Sequence, residues 1–183
     1  MKRARVLILI LSLSMSGCGD RSLIVTVDIL SFLDASERTA AYAIPGGLAA
    51  SDVDVASRSL NLLPGVDDAS EVVTATLQVE ASCDNRTGDG SGLLRLYMAS
   101  GDSTDPFTTP PIDSLPVTLA PSSVINVSNQ ITSQAVARAL VQKQARVGVR
   151  VSFDTRSTAL TDSVSGTMTI SQLMATVITK KGF

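Results

Sequence analysis

Val73-Thr74-Ala75-Thr76-Leu77-Gln78-Val79-Glu80-Ala81-Ser82-Cys83 is the stretch of sequence that decides the fold. Apolar residues take every odd position and polar residues every even position, which is the period of two that a β-strand gives its side chains. Such a strand buries one face and leaves the other in water. The pattern therefore predicts a sheet with one packed face. It also predicts that Cys83 lies in the core, where a free cysteine behaves as a small hydrophobic residue.

Similar alternation recurs in the C-terminal part of the chain. Val147 to Phe153 alternates strictly, and so does the region from 164 to 177, except that its apolar side shifts near Ser171-Gln172. That shift predicts a β-bulge or a short kink. Pro116 lies inside a short apolar alternation, which favours an edge strand because proline cannot donate to a central ladder. Further strands are predicted over 23–33, 93–98 and 115–119, with one or two strands over 53–63. Val124 to Val127 is predicted to extend the 115–119 strand past Pro121.

Two connections are predicted from composition and periodicity. The polar, glycine-rich segment from Asp84 to Gly92 predicts a turn, after which Leu93 to Met98 returns as the hairpin partner of the 73–83 strand. Between Asn129 and Arg146 the apolar residues change to helical spacing, with Gly148 following the end. We expect this helix to cover one open end of the core.

These elements predict an all-β domain. About seven to nine short strands, one late helix and no βαβ rhythm favour an antiparallel β-sandwich of Ig-like or jelly-roll-like architecture. We expect the short α-helix near residues 130–145, and we expect residues 23–183 to form a single domain. The chain contains no tryptophan and only two cysteines. "Ig-like" therefore describes the architecture and not the hallmark residues of that fold.

The first 17 residues have the pattern of an export signal. Lys2, Arg3 and Arg5 precede a mostly apolar run from Val6 to Met15, and Ser16-Gly17 follows it. As a helix the run would span roughly 15 Å at about 1.5 Å per residue, which is half of a bilayer's ~30 Å hydrocarbon core. A basic start, a short apolar core and a small-residue end are typical of a signal peptide that is removed.

Met15-Ser16-Gly17-Cys18 resembles the lipobox of bacterial lipoproteins, with methionine where leucine is commonest. The resemblance covers residues 1–18 only. It implies cleavage between Gly17 and Cys18, a diacylglycerol on the Cys18 thiol and often an acyl chain, such as palmitate, on its amino group. Residues 18–22 would then be the lipidated cysteine and a short tether. An ordinary secretory signal with a coincidental cysteine, or an uncleaved hydrophobic strand, are the alternatives.

The resemblance also bears on location. Two or more acyl chains hold a protein stably on a membrane, whereas one gives marginal binding. In Gram-negative members of the family an aspartate directly after the cysteine favours the inner membrane. Gly19 occupies that position here. We therefore expect a lipid-anchored protein of the cell envelope, on the outer membrane rather than the inner one.

Charge and composition exclude several function classes. Removing residues 1–17 removes three basic residues and no acidic ones, so 15 basic against 17 acidic residues becomes 12 against 17, a net charge of −5. This balance argues against a nucleic-acid partner, which needs clustered lysine and arginine. The chain has no histidine. Ser-His-Asp and Cys-His catalysis and histidine-based zinc sites are therefore excluded, and we expect no enzyme.

Asp84, Asn85 and Asp89 are the candidate metal ligands. They lie in a glycine-rich segment whose carboxylate and amide oxygens are the kind that Ca²⁺ prefers. The segment lacks the EF-hand spacing, since Arg86 stands where an oxygen ligand belongs. A solvated turn uses the same residue types for its own hydrogen bonds.

Two functions remain open. The first is a non-catalytic, membrane-anchored lipoprotein that is structural or binds a protein or other envelope component. The second is a ligand-binding module for carbohydrate, with or without calcium, that uses the 84–92 and 101–111 loops. No cofactor is expected other than the lipid on Cys18 and, in the second function, calcium.

Overall fold

β-Strands make up most of the chain. The computed structural model describes residues 21–49, 51–60, 71–100, 105–140 and 145–181. These residues form one α-helix, α1 (Gln134–Leu140), and nine strands: β1 (Arg21–Asp28), β2 (Thr39–Pro45), β3 (Ser51–Leu60), β4 (Glu71–Thr87), β5 (Gly90–Ser100), β6 (Asp113–Leu119), β7 (Ser123–Thr132), β8 (Ala145–Asp154) and β9 (Ser163–Lys181).

The strands form two antiparallel sheets that pack as a sandwich. Sheet I has the order β1-β9-β4-β7, with β2 also paired to β9, and sheet II has the order β3-β8-β5-β6. The connections β2–β3, β4–β5, β6–β7 and β8–β9 each cross from one sheet to the other. This is the connectivity of a jelly roll. The predicted antiparallel β-sandwich is confirmed.

β4 lies in the centre of sheet I, between β9 and β7. The predicted alternation is confirmed over the described side chains: residues 75, 77, 79, 81 and 83 are buried, while the intervening residues are only partly buried. The predicted bulge is confirmed as well. Glu80 pairs with Gln172 and Ala81 with Ile170, so Ser171 is the extra residue in β9. The bulge lets both halves of β9 turn their apolar side chains inward.

The predicted hairpin between the 73–83 strand and its successor is wrong. β4 continues through Thr87 and β5 begins at Gly90, so the nine-residue turn shrinks to Gly88 and Asp89. β4 and β5 belong to opposite sheets and do not pair. Gly88 has a φ of +73°, a left-handed conformation that glycine adopts without a Cβ clash.

Several other boundaries differ from the predictions. β1 ends at Asp28, and residues 29–32 form a 3₁₀ turn whose Ile29 and Leu30 are buried. β2 was not predicted. Residues 124–127 do not extend β6; they belong to β7, in the other sheet. β6 is an edge strand, as Pro116 indicated.

The helix is shorter than the predicted range of 129–146. β7 runs through Thr132, so Asn129 lies in a strand, and β8 already begins at Ala145. α1 packs against β4 and β5, with Val136, Ala137 and Leu140 buried. It therefore covers one end of the core, as expected. Within the described ranges, no helix combines the length and the apolar character that a bilayer crossing requires.

The two ends of the sandwich differ. The helix end carries α1, the start of β1 and the end of β9, since Arg21 pairs with Lys181. The turn end carries the β2–β3, β4–β5, β6–β7 and β8–β9 connections. These turns bond to one another: Gly46 N–H donates to Asp162 O at 2.9 Å, and Gly47 N–H to Thr155 O at 2.8 Å. The turns at this end are therefore joined to one another by backbone hydrogen bonds and are not independent loops.

Candidate functional site

The predicted lipidation and cleavage residues, Cys18 and Gly17, lie outside the described residues. The predicted end of the tether, at residue 22, is wrong. Residues 21 and 22 were assigned to the tether, but both belong to β1, where Arg21 pairs with Lys181 and Ser22 with Lys180. The first described strand therefore begins three residues after Cys18.

The structure does not bring the three candidate metal ligands together. Asp84 is exposed on the outer face of β4, whereas its neighbour Asn85 is fully buried on the inner face. Asp89 is exposed in the turn, and its backbone N–H donates to Thr158 Oγ1 at 3.0 Å. No group of three or more Asp, Glu, Cys or His side chains in the described part of the chain is arranged to hold a metal ion.

Asn85 instead belongs to a buried hydrogen-bond network. Its Nδ2 donates to Gly88 O at 2.9 Å and to Ala120 O at 2.8 Å. Its Oδ1 accepts from Tyr42 Oη at 3.0 Å. Cys83 Sγ lies 3.1 Å from the same hydroxyl. The network ties β2 and β4 to the turns at the turn end.

The Cys83 thiol is not a candidate nucleophile in this environment. Burial raises its pKa, although the hydrogen bond with Tyr42 opposes the shift. Burial also raises the pKa of Tyr42 far above its ordinary value, and the contact with Cys83 adds to the effect. Nucleophilic cysteines need the opposite, a lowered pKa and access to solvent. The prediction that Cys83 is a core residue is confirmed.

The outer face of sheet I is rich in hydroxyl groups. One row crosses four strands, with Thr26, Thr176, Thr76 and Thr132 directly opposite one another. Thr26 and Thr176 hydroxyl oxygens are 3.1 Å apart, and those of Thr76 and Thr132 are 3.3 Å apart. These cross-strand pairs stabilise the sheet and leave the row without charge.

The outer face of sheet II carries a cluster of charged side chains around Arg150. Arg150 on β8 binds Asp54 on β3 through two hydrogen bonds, Nε to Oδ1 at 2.5 Å and Nη2 to Oδ2 at 3.1 Å, and its Nη1 lies 3.8 Å from Asp52 Oδ2. Its guanidinium also stacks 4.0 Å from the ring centre of Phe107. The hydrogen bond with Asp54 raises the pKa of Arg150 further. Arg150 is thus fully engaged by its neighbours.

Arg95 lies directly opposite Arg150 in the β5–β8 ladder. Its Nη1 donates to Ser152 Oγ, and Ser152 Oγ donates in turn to Asp52 Oδ1. No carboxylate of the described residues forms an ion pair with Arg95. Two arginines facing each other are unfavourable unless anions balance them, and of these two only Arg150 contacts Asp52 and Asp54 directly.

A groove of about 380 Å³ lies beside Arg95, between β6, β5 and β8 near the turn end. Strand register gives its layout. One row across the three strands is Thr118, Ser91 and Asp154, and the next is Pro116, Leu93 and Ser152. Arg95 belongs to the third row. The groove therefore joins a hydroxyl-rich end to an apolar middle and a cationic end.

Sequence reasoning missed this groove because its walls come from three strands, β5, β6 and β8, whose pairing and register the sequence does not give. The alternation of β5 places Ser91, Leu93 and Arg95 on one face of the strand. The residues beside them on that face can be identified only from the strand register.

Two structures of infectious bursal disease virus contain chains with a similar fold. For the Gx strain the TM-score is 0.51 at 9% identity, and the match covers 93% of this chain and 38% of the viral chain. For the Gt strain the values are 0.50, 8%, 96% and 43%. The chain thus spans about two fifths of those viral chains. At such identity the likeness shows the fold alone. No family model matches the sequence, and no curated protein sequence matches it.

Proposed function

We propose that this protein is a lipid-anchored lipoprotein of the cell envelope, with a non-catalytic jelly-roll domain that is structural or binds an envelope protein or other component. The observation that carries the proposal is the sequence Met15-Ser16-Gly17-Cys18 placed after a basic and apolar leader. Cys18 would carry the lipid, and the outer membrane is the expected location because Gly19 follows it.

The start of β1 supports this proposal. Only residues 19 and 20 separate Cys18 from Arg21, so an anchored chain could extend about 10 Å from the lipid to the domain. The helix end would then rest beside the bilayer. β9 runs from Lys181 at that end to Ser163 at the turn end, and its 18 steps at about 3.3 Å correspond to roughly 60 Å. The turn end would point away from the membrane.

Intact-mass analysis of the membrane-extracted protein tests the anchor. The expected mass lacks residues 1–17 and gains a diacylglycerol, with or without a further acyl chain. A Cys18→Ser variant should show no acylation and should leave the membrane fraction. A native product that keeps residues 1–17, or that leaves the cell with unmodified Cys18, would overturn the proposal.

A ligand-binding role for carbohydrate is the second candidate function. The groove near the turn end favours it, because this surface carries both apolar and polar side chains. Calcium has no comparable support, since Asp84 and Asn85 lie on opposite faces of β4.

A further inference from the structure

The side chains that line the groove on sheet II change in character along its length. Ser91 and Thr118 are exposed hydroxyls at its turn-end side, Leu93 and Pro116 form its apolar middle, and Arg95 closes the other side. Ser91 and Arg95 are four residues apart on β5, which corresponds to roughly 13 Å. A volume of about 380 Å³ is within the range of small-molecule sites.

Among the described residues, no carboxylate forms an ion pair with Arg95. Asp54 and Asp52 contact Arg150, and Asp154, which lines the groove, is held by Arg156 through hydrogen bonds from Nε to both carboxylate oxygens at 3.0 Å. The pairing with Arg156 lowers the pKa of Asp154. Within the part of the chain that the structure describes, the Arg95 side chain donates one hydrogen bond, to the neutral Ser152 hydroxyl. A guanidinium has five N–H donors.

We propose that this groove binds an acidic saccharide and that Arg95 binds its carboxylate. A sugar carboxylate would supply the missing counter-charge in the fork geometry that guanidinium groups favour. The C–H face of the pyranose ring would lie on Leu93 and Pro116, and its hydroxyls would meet Ser91 and Thr118. The roughly 13 Å length suits about two sugar rings. The inference rests on the second of the two proposed functions and not on the anchor.

Digalacturonate is the probe, with galactobiose as the uncharged matched disaccharide. Binding to the detergent-extracted, full-length protein is measured by isothermal titration at low and physiological salt. We expect saturable digalacturonate binding that weakens with salt, and at least tenfold weaker binding of galactobiose. Arg95→Gln should weaken digalacturonate binding at least tenfold. Arg86→Gln is the matched control, because Arg86 is exposed near the same end on β4, in the other sheet.

Ser91→Glu provides a second variant if Arg95→Gln fails to fold. It introduces a negative charge at an exposed groove position and should also weaken digalacturonate binding at least tenfold. The proposal is overturned if digalacturonate does not bind, if galactobiose binds equally well, or if Arg86→Gln causes the same loss as Arg95→Gln. It is also overturned if tetraglutamate binds more tightly with the same dependence on Arg95, because the site would then recognise acidic peptides. None of these outcomes alters the intact mass that tests the anchor.

Discussion

Replacing Asn85 with alanine should destabilise the turn end more than any exposed change nearby. The substitution removes three hydrogen bonds: one from Tyr42 Oη at 3.0 Å, and two from Nδ2 to Gly88 O and Ala120 O at 2.9 and 2.8 Å. Each buried polar group that loses its partner costs about 1–3 kcal/mol. The two carbonyls lie near the surface and can recover water, so the low end of that range applies. The expected loss is about 3 kcal/mol.

Equilibrium urea unfolding of the purified protein, followed by circular dichroism, measures this loss. For a domain of this size, about 3 kcal/mol corresponds to a fall in Tm of about 6–12 °C. Asp84→Ala is the matched control, since Asp84 is the adjacent but exposed residue, and it should change the free energy of unfolding by less than about 0.5 kcal/mol. Tyr42→Phe removes one member of the network and should cost about 1 kcal/mol.

The result that would refute this reasoning is a loss below about 1 kcal/mol for Asn85→Ala, or a loss no larger than that of Asp84→Ala. Either outcome would mean that the network does not hold the turns to the sheet. An intermediate Tyr42→Phe value, with a smaller effect of Asn85→Ala in that background, would show coupling between the two side chains.

Three further predictions concern the core, β9 and sheet II. Burial raises the pKa of the Cys83 thiol in the folded state, so its contribution to stability is present below the unfolded pKa of about 8.5 and is lost as pH rises above it. Urea unfolding from pH 8 to 10 should show this loss, and the slope should be flatter in Cys83→Ala. Gly166→Ala should destabilise by about 1–3 kcal/mol or more, because its Cβ would overlap Tyr42 Oη and the Asp84 carbonyl oxygen. Thr167→Ala, measured by the same thermal melt, should stay near wild type, and equal melting temperatures would contradict the clash. Asp54→Asn should cost less than about 1 kcal/mol, because the pair with Arg150 is partly exposed, and a difference in melting temperature that persists in 0.5 M salt would argue against a screened ion pair.

Strands with one buried face were predictable from sequence, and the sheets to which they belong were not. Alternation identified β4 and β8, and the change of parity at Ser171 located the bulge in β9. Alternation carries no information on which sheet a strand joins, and for this reason the predicted hairpin of β4 and β5 is wrong. β2 was missed because alanine, which is depleted in strands, supplies three of its seven residues.

The candidate site was harder to predict for a related reason. Asp, Asn and Gly in the 84–90 segment are typical of turns, but Asn85 lies on the inner face of β4 and uses its amide to hold two turn carbonyls. Its role depends on Tyr42 and Ala120, which are distant in sequence. The groove likewise needs the register of β6, β5 and β8. The N-terminal signal is predicted from local sequence alone, because export signals are recognised as linear sequence, and it stays a prediction.

The pairing of β1 with β9 determines how the domain would respond to force. Eight consecutive residues of β1, from Arg21 to Asp28, pair with residues 181 to 174 of β9. A pull on the N-terminal end of β1 acts along the strand, so the ladder hydrogen bonds carry the load together and do not open one by one like a zipper. β9 passes the tension to β4 over nearly its whole length. Such shear loading resists mechanical extraction of the first strand when the distal end is held.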